Sequence, residues 1–239
     1  MKAFFIFASF NMDKILNIGH RGAKGHLAEN TLESFQWAID FGVDGIELDV
    51  HLSADGEIIV IHDETVNRTT NGSGLVNEMS VADLQALRIE NQFEIPLLYQ
   101  VFDLVNQKCL INIELKSGET AKPVVDLIEH YVLERNWNYT GFLISSFDWP
   151  ALQTVRDLHQ EIPLGVLTAT DLDLAIAFAK FIQAETIHPY FNLLNAENVL
   201  KMQQQQLKVF SWTINEPEDI QKIKSFKVNG IITDFPERL

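Results

Sequence analysis

The segment Asp44-Gly45-Ile46-Glu47-Leu48-Asp49-Val50 decides how the rest of the chain is read. Gly45 to Val50 is a short apolar run with β-branched residues, and successive side chains of an extended strand point to opposite faces. Glu47 and Asp49 therefore project from the same side of one strand. Similar runs recur outward from it: Ile15 to Gly19 before it, then Leu110 to Leu115, Gly141 to Ser145, Leu164 to Leu167, Thr186 to His188, Leu207 to Ser211 and Gly230 to Thr233. Helical patterns separate them. Strands alternating with helices predict an α/β chain with right-handed crossovers and a parallel sheet. Eight such strands favour a closed (β/α)8 TIM barrel over an open doubly wound sheet, and 239 residues suit a fold that takes about 250.

The clearest helix follows Asn30-Thr31-Leu32-Glu33, where Asn30 reads as the N-cap three residues before Glu33, and Gly42 ends it. Leu32, Phe35, Ala38 and Ile39 line its core side. A second helix is predicted from about Glu119 to Arg135, and others start near Asp148, Asp171, Ala196 and Glu216. The stretch from Glu57 to Gln100 is too long for one βα unit. It holds an extra strand, Glu57 to Ile61, a turn at Asn71-Gly72-Ser73-Gly74 and a short helix, Val81 to Leu87. The economical reading is a small cap inserted between strands two and three, over about 63–100, within a barrel domain spanning 15–239.

Residues 1–14 read as an N-terminal extension. The apolar run Met1 to Phe10 raises a signal peptide, but a small-x-small cleavage site is lacking and Met12 is an alternative start. The cytoplasm is thus the expected compartment, with periplasm or secretion the alternative if that run is a signal. No stretch approaches the roughly 20 apolar residues of a membrane anchor. A formal net charge of -15 argues against a nucleic-acid partner, and the single Cys109 excludes an intrachain disulfide.

In a barrel the carboxyl ends of the strands converge on one face. His20 and Arg21 follow strand one, Glu47 and Asp49 end strand two, and Glu114 and Lys116 end strand three. Ser145, Ser146 and Phe147 close strand four; His188, Trp212 with Asn215, and Asp234 follow strands six, seven and eight. Three convergent carboxylates, Glu47, Asp49 and Glu114, would repel unless a cation joined them. Oxygen-only ligation points to one hard divalent ion, Mg2+ or Ca2+. The bland alternative for Glu47 and Asp49 alone is a solvated loop.

Gly19-His20-Arg21-Gly22 sets an imidazole beside a guanidinium suited to phosphate oxygens. His62-Asp63 closes the extra strand, and two histidines across one pocket could serve as acid and base, although for His62 alone a structural residue hydrogen-bonded to a loop is the favoured reading. His51 is a candidate neighbour of the ligands, and His188 either lines the pocket or fixes the strand-six loop. His130 and His159 are expected on solvent-facing helix positions, and His26 in a polar loop. Phe147 and Trp212 could pack on an apolar edge of a substrate or belong to the core.

Taken in order, these residues resemble the glycerophosphodiester phosphodiesterase family from about Ile15 to Arg238. The markers are Gly19-His20-Arg21-Gly22, Glu29-Asn30-Thr31, Asp44 to Val50, Asp55-Gly56 leading to His62-Asp63, Arg68-Thr69-Thr70-Asn71-Gly72, Ile113-Glu114-Leu115-Lys116, Ser146-Phe147, Trp212-Thr213-Ile214-Asn215 and Thr233-Asp234-Phe235-Pro236. The resemblance implies metal ligation by Glu47, Asp49 and Glu114, catalysis by His20 and His62, and phosphate binding by Arg21 and Lys116. It implies a small glycerophosphodiester substrate, cleaved to sn-glycerol 3-phosphate and an alcohol through attack of the glycerol 2-hydroxyl and a cyclic phosphate that water opens. Ala28 departs from the family pattern, which has Pro there. Action on lysophospholipids and a non-catalytic phosphodiester-binding barrel are the alternatives. The choice of ion, the alcohol and the oligomeric state are not encoded in any of these motifs.

Overall fold

The computed structural model describes residues 14–239. The expected extension up to Asp13, with its apolar run, lies outside the described residues. Nine strands follow in chain order: β1 (Leu16–Gly19), β2 (Gly45–Leu52), β3 (Ile58–Val60), β4 (Leu110–Leu115), β5 (Phe142–Ser146), β6 (Leu164–Thr168), β7 (Thr186–Pro189), β8 (Lys208–Ser211) and β9 (Gly230–Thr233). Eight of them pair in parallel, and because β1 pairs with both β2 and β9 the ring closes into the expected barrel. β3 stands outside the ring, antiparallel to β2, with His51 opposite Ile59.

Period-two alternation explains why the ring holds together. Ile46, Leu48 and Val50 of β2, Ile111, Ile113 and Leu115 of β4, and their counterparts on the other strands face outward into the main core beneath the helices. The helices are α1 (Leu32–Phe41), α2 (Val81–Ala86), α3 (Leu98–Val105), α4 (Ala121–Arg135), α5 (Trp149–Leu158), α6 (Leu172–Phe181), α7 (Ala196–Gln204) and α8 (Pro217–Ser225). Leu16, Ile18, Leu143, Phe210 and Ile232 fill the barrel interior as a separate cluster. The segment from β3 to Ile95 has its own core of Ile59, Ile61, Val66, Val76, Leu84, Ile89 and Ile95, which is the inserted cap.

Two local expectations are corrected. The N-cap of α1 is Thr31, whose side chain accepts from the Ser34 amide; Asn30 instead adopts a left-handed conformation with φ 57°. That frees its side chain for the site described below. Helix α3 is not among the helices expected from the sequence, and only its first residues fall within the inserted stretch. Its N-cap, Leu97, carries no capping side chain, and its start rests on Gln100 Oε1, which accepts from the Leu97 amide at 2.8 Å. Leu98, Val101, Phe102 and Val105 nevertheless join the main core, and α3 packs against α1 as the helix that links β2 to β4.

Phe102 is fully buried and meets the rings of Tyr131 at 5.0 Å, Phe142 at 4.9 Å and Trp137 at 5.9 Å. Phe102→Ala should therefore cost about 3–5 kcal/mol, measured by chemical denaturation. A cost below about 1 kcal/mol would mean that α3 contributes little to the helical layer.

Candidate functional site

Glu47, Asp49 and Glu114 meet inside the mouth of the barrel because β2 and β4 are neighbours in register, with Asp49 opposite Glu114. One oxygen from each lies within 4.8 Å of the others. Asp49 is 1% exposed and Glu47 4%. Burial, then Asp49 and Glu114, push Glu47 well above the usual carboxylate range. Burial, then Asp49, push Glu114 up to about 7. Burial would also raise Asp49, but Arg21, then Lys116, His62 and Asn30, hold it below the ordinary value.

The counter-charges are few. Lys116 Nζ donates to Glu114 at 2.7 Å and lies 3.4 Å from Asp49, while Arg21 Nε lies 3.3 Å from Asp49. Two cations against three carboxylates leave a deficit of positive charge, and Arg21 is also shared with Glu29 at 2.8 Å. An all-oxygen set short of positive charge fits a hard divalent ion.

The loop after β1 is held by its glycines. A Cβ on Gly19 would lie 2.2 Å from the Gly22 carbonyl oxygen, and one on Gly22, at φ +89°, would lie 2.5 Å from Ser34 Oγ. This tight turn directs the Arg21 amide to Glu47 Oε2 at 3.0 Å and the Arg21 side chain to Asp49. Asn30 Nδ2 donates to Asp49 Oδ2 at 2.9 Å. At Ala28, where the family pattern has proline, the carbonyl accepts from Thr31 Oγ1 at 2.8 Å and the side chain packs in the cap core, which fixes the loop without the ring.

His20 and His62 flank the carboxylates in matching fashion. Each Nδ1 sits 2.6 Å from an aspartate oxygen, Asp234 Oδ1 for His20 and Asp63 Oδ1 for His62. Each Nε2 lies 4.0 Å from a carboxylate of the cluster, Glu47 for His20 and Asp49 for His62. Burial lowers the pKa of both, outweighing the aspartates. A tethered Nδ1 leaves Nε2 as the nitrogen that faces the carboxylates. Asn215 positions Asp234 with Nδ2 to Oδ2 at 2.7 Å, and His51 Nε2 bonds the His62 carbonyl at 3.1 Å.

A cavity of about 110 Å³ opens on this set, lined by His20, Arg21, Glu47, His62, Glu114 and Lys116, with Phe147 and Trp212 edge to face at 5.4 Å. Its lining also includes Asn112, Ser145, Leu167, Thr213 and Ile232. Sequence reading passed over Asn112, although two residues before Glu114 on one strand it had to share that face. His188 does not line this cavity. Its ring is fully buried, held near pKa 3 by burial and bonded to Thr186 Oγ1 at 2.8 Å, and its carbonyl receives Trp212 Nε1 at 2.7 Å. Of its two readings, the fixing role holds. His130 is exposed as expected, whereas His159 lies at the C-cap of α5 against Tyr139, and His26 stacks on Trp37 at 4.4 Å.

The cap enters through ionic contacts. Arg68 donates to Asp63 at 2.7 Å and to Glu29 at 2.7 Å, so Asp49, Arg21, Glu29, Arg68, Asp63 and His62 form one chain. Burial would raise Glu29, but Arg68, then Arg21 and Lys24, hold it at about 2 instead of 4.5. A carboxyl with a depressed folded-state pKa stabilises the fold above its unfolded value, and this contribution disappears as pH falls through the lower one. Glu29→Gln should therefore be less stable than the parent by about 2–3 kcal/mol at pH 6 in urea denaturation, with the gap closing between pH 4.5 and 2. A gap independent of pH would show that packing, not charge, is what the substitution removes.

Comparison with known proteins agrees with this architecture. The model of the glycerophosphoryl diester phosphodiesterase family matches residues 20–238. A glycerophosphodiester phosphodiesterase of Caldanaerobacter subterraneus subsp. tengcongensis is 38% identical, over 95% of this chain and 96% of that protein, and one of Bacillus altitudinis is 37% identical, over 92% and 94%. Among solved structures, an Oleispira antarctica phosphodiesterase in complex with the product sn-glycerol-3-phosphate superposes with a TM-score of 0.85 at 26% identity, covering 92% of this chain and 93% of that one. The glycerophosphodiester phosphodiesterase of Thermotoga maritima gives 0.81 at 28% identity, covering 94% and 96%. The chain belongs to the glycerophosphoryl diester phosphodiesterase family, and it is a phosphoric diester hydrolase.

Proposed function

We propose that this enzyme hydrolyses glycerophosphodiesters to sn-glycerol 3-phosphate and an alcohol, with Glu47, Asp49 and Glu114 holding one divalent cation, Mg2+ or Ca2+, and His20 and His62 as the acid–base pair. The observation that carries this reading is the matched pair of imidazoles, each anchored through Nδ1 and each with Nε2 at 4.0 Å from the carboxylate cluster. A bound cation supplies charge neutralisation for the diester and for the oxygens that gain negative charge during transfer.

Arg21 and Lys116 provide the fixed positive charge of the chain itself and orient the phosphate at the mouth. One histidine, neutral because burial lowers its pKa, takes the proton of the attacking hydroxyl. The other, once protonated, gives its proton to the departing alkoxide, a poor leaving group without that help. Asp234 and Asp63 stabilise whichever imidazole carries the charge. Phe147, at 47% exposure, and Trp212 form a rim against which the outgoing alcohol can pack. The cavity of about 110 Å³ is far below the roughly 300–1,000 Å³ that enclose drug-sized ligands, so it admits one end of a diester and leaves the other outside.

The direct assay is coupled detection of sn-glycerol 3-phosphate released from glycerophosphocholine, after chelation and after separate return of Mg2+ or Ca2+. Release should cease on chelation and resume with one of the ions; activity that survives thorough chelation would remove the metal from the scheme. His20→Ala and His62→Ala should each lower kcat by about 10² to 10⁴ while the fold persists by circular dichroism. A loss of only a few-fold in either variant would contradict the assigned pair.

A further inference from the structure

The aspartates behind the two imidazoles are themselves held in different ways. Asp234, behind His20, follows β9 of the ring; it accepts from Asn215 Nδ2 at 2.7 Å, and its amide donates to Asn215 Oδ1 at 2.9 Å. Asp63, behind His62, belongs to the cap and is 28% exposed. Among the described residues its carboxylate is bonded to His62 and to one other side chain, that of Arg68. The proposed chemistry gives Arg68 no part.

The Arg68 guanidinium uses two edges. Nε and Nη2 donate to Asp63 Oδ2 at 2.7 Å and Oδ1 at 3.0 Å, while Nη1 and Nη2 donate to Glu29 Oε2 at 3.1 Å and Oε1 at 2.7 Å. Glu29 is 8% exposed and paired with Arg21 on the loop after β1, so it is a fixed point on the barrel side. A planar group forked on both edges sets the direction of each carboxylate as well as its distance, which a point charge does not. The backbone at His62 is held independently: its carbonyl accepts from His51 Nε2 at 3.1 Å, and the Ile61 amide donates to the Asp49 carbonyl at 3.0 Å. What Arg68 adds is the plane of the Asp63 carboxylate and, through it, the rotation of the imidazole. Arg68 also holds Asp63 far below the usual carboxylate range, so the carboxylate accepts from Nδ1–H and leaves Nε2 towards the cluster.

We propose that Arg68 is a positioning residue for the reaction: it clamps Asp63 against Glu29, which keeps the His62 ring in its working orientation and makes His62 competent only while the cap is docked. The inference rests on the proposed function, in which His62 belongs to the acid–base pair. Arg21 keeps its own contacts with Asp49 and Glu29 when the fork is removed, so substrate affinity changes less than turnover.

The test is kinetics on glycerophosphocholine with Arg68→Met, which keeps the stem and removes the fork, and Arg68→Lys, which keeps the charge, each alone and combined with His62→Ala. Arg68→Met should lower kcat by about tenfold to a hundredfold, with KM within about threefold of the parent. Arg68→Lys should lose nearly as much, because one ammonium cannot reproduce the double fork. In the His62→Ala background neither substitution should lower kcat further, whereas a general loosening of the structure would add its full effect there. A kcat within about threefold of the parent in Arg68→Met, parental activity in Arg68→Lys, a loss confined to KM, or an equal additional loss without His62 would each overturn the proposal. If Arg68→Met does not fold, Arg68→Lys carries the same comparison. Nitrogen-15 NMR of the imidazoles reads the anchor without turnover. His62 should carry its proton on Nδ1 in the parent and share it between both nitrogens in Arg68→Met, while His20 is unchanged; an unchanged His62 contradicts the clamp. If His62→Ala retains most of the activity, the assigned pair fails, and the NMR comparison still decides whether Arg68 holds the ring.

Discussion

Three carboxylates in one buried spot repel, and the organisation of this molecule follows from containing that repulsion. Glu47, Asp49 and Glu114 lie within 4.8 Å of one another, where the low local dielectric makes like charges expensive. Only a rigid frame holds such groups together. The hydrogen-bonded register between β2 and β4 supplies it, because Asp49 and Glu114 cannot separate without breaking the ladder that also buries Leu48, Val50, Ile113 and Leu115. Arg21, Lys116 and Asn30 then compensate part of the charge, and the remainder is what a divalent ion would balance.

The two histidines come from structurally different places. His20 follows β1 and leans on Asp234 after β9, so its anchor belongs to the closed ring and links the two ends of the described chain. His62 follows β3, outside the ring, and its anchor Asp63 is tied by Arg68 to Glu29. One half of the proposed acid–base pair is thus held by the closed barrel, and the other is only as well placed as the cap. The apolar seam of Ala28, Ile59 and Ile61 and the Glu29–Arg68 contact carry that placement. Loosening the cap would displace His62 without touching the carboxylates.

The barrel interior is divided. Leu16, Ile18, Leu143, Phe210 and Ile232 make its base and one wall apolar, while Glu47, Asp49, Asn112, Glu114 and Ser145 concentrate polarity on β2, β4 and β5. The apolar part maintains the packed interior that a barrel needs, and the polar part concentrates the ionisable groups on one side of it. His188 shows the cost of polarity on the far side. Burial keeps it neutral, its ring is bonded to Thr186, and that ring occupies the space above Gly165, where a Cβ would lie 2.6 Å from Nε2.

The eight-stranded ring, the cap and the set of side chains that share the barrel mouth were legible in the sequence, because strand periodicity fixes which side chains share a face and closure of a parallel barrel brings the strand ends together. Glu47, Asp49 and Glu114 were legible for that reason, as were His20 and Arg21 between glycines. Helix α3 was not, since its N-cap Leu97 offers no capping side chain and its eight residues directly follow the insertion, and its packing against α1 assigns it to the outer layer. The cap of α1 was misplaced by one residue because Asn30 and Thr31 are both good capping residues, and the hydrogen bond from Asn30 to Asp49, nineteen residues away, decides between them. The anchoring of each imidazole and the ionic chain through Glu29 and Arg68 depend on contacts between strands and loops far apart in the chain. Local pattern carries the direction of a side chain, but its partner is set by where the rest of the fold comes to lie.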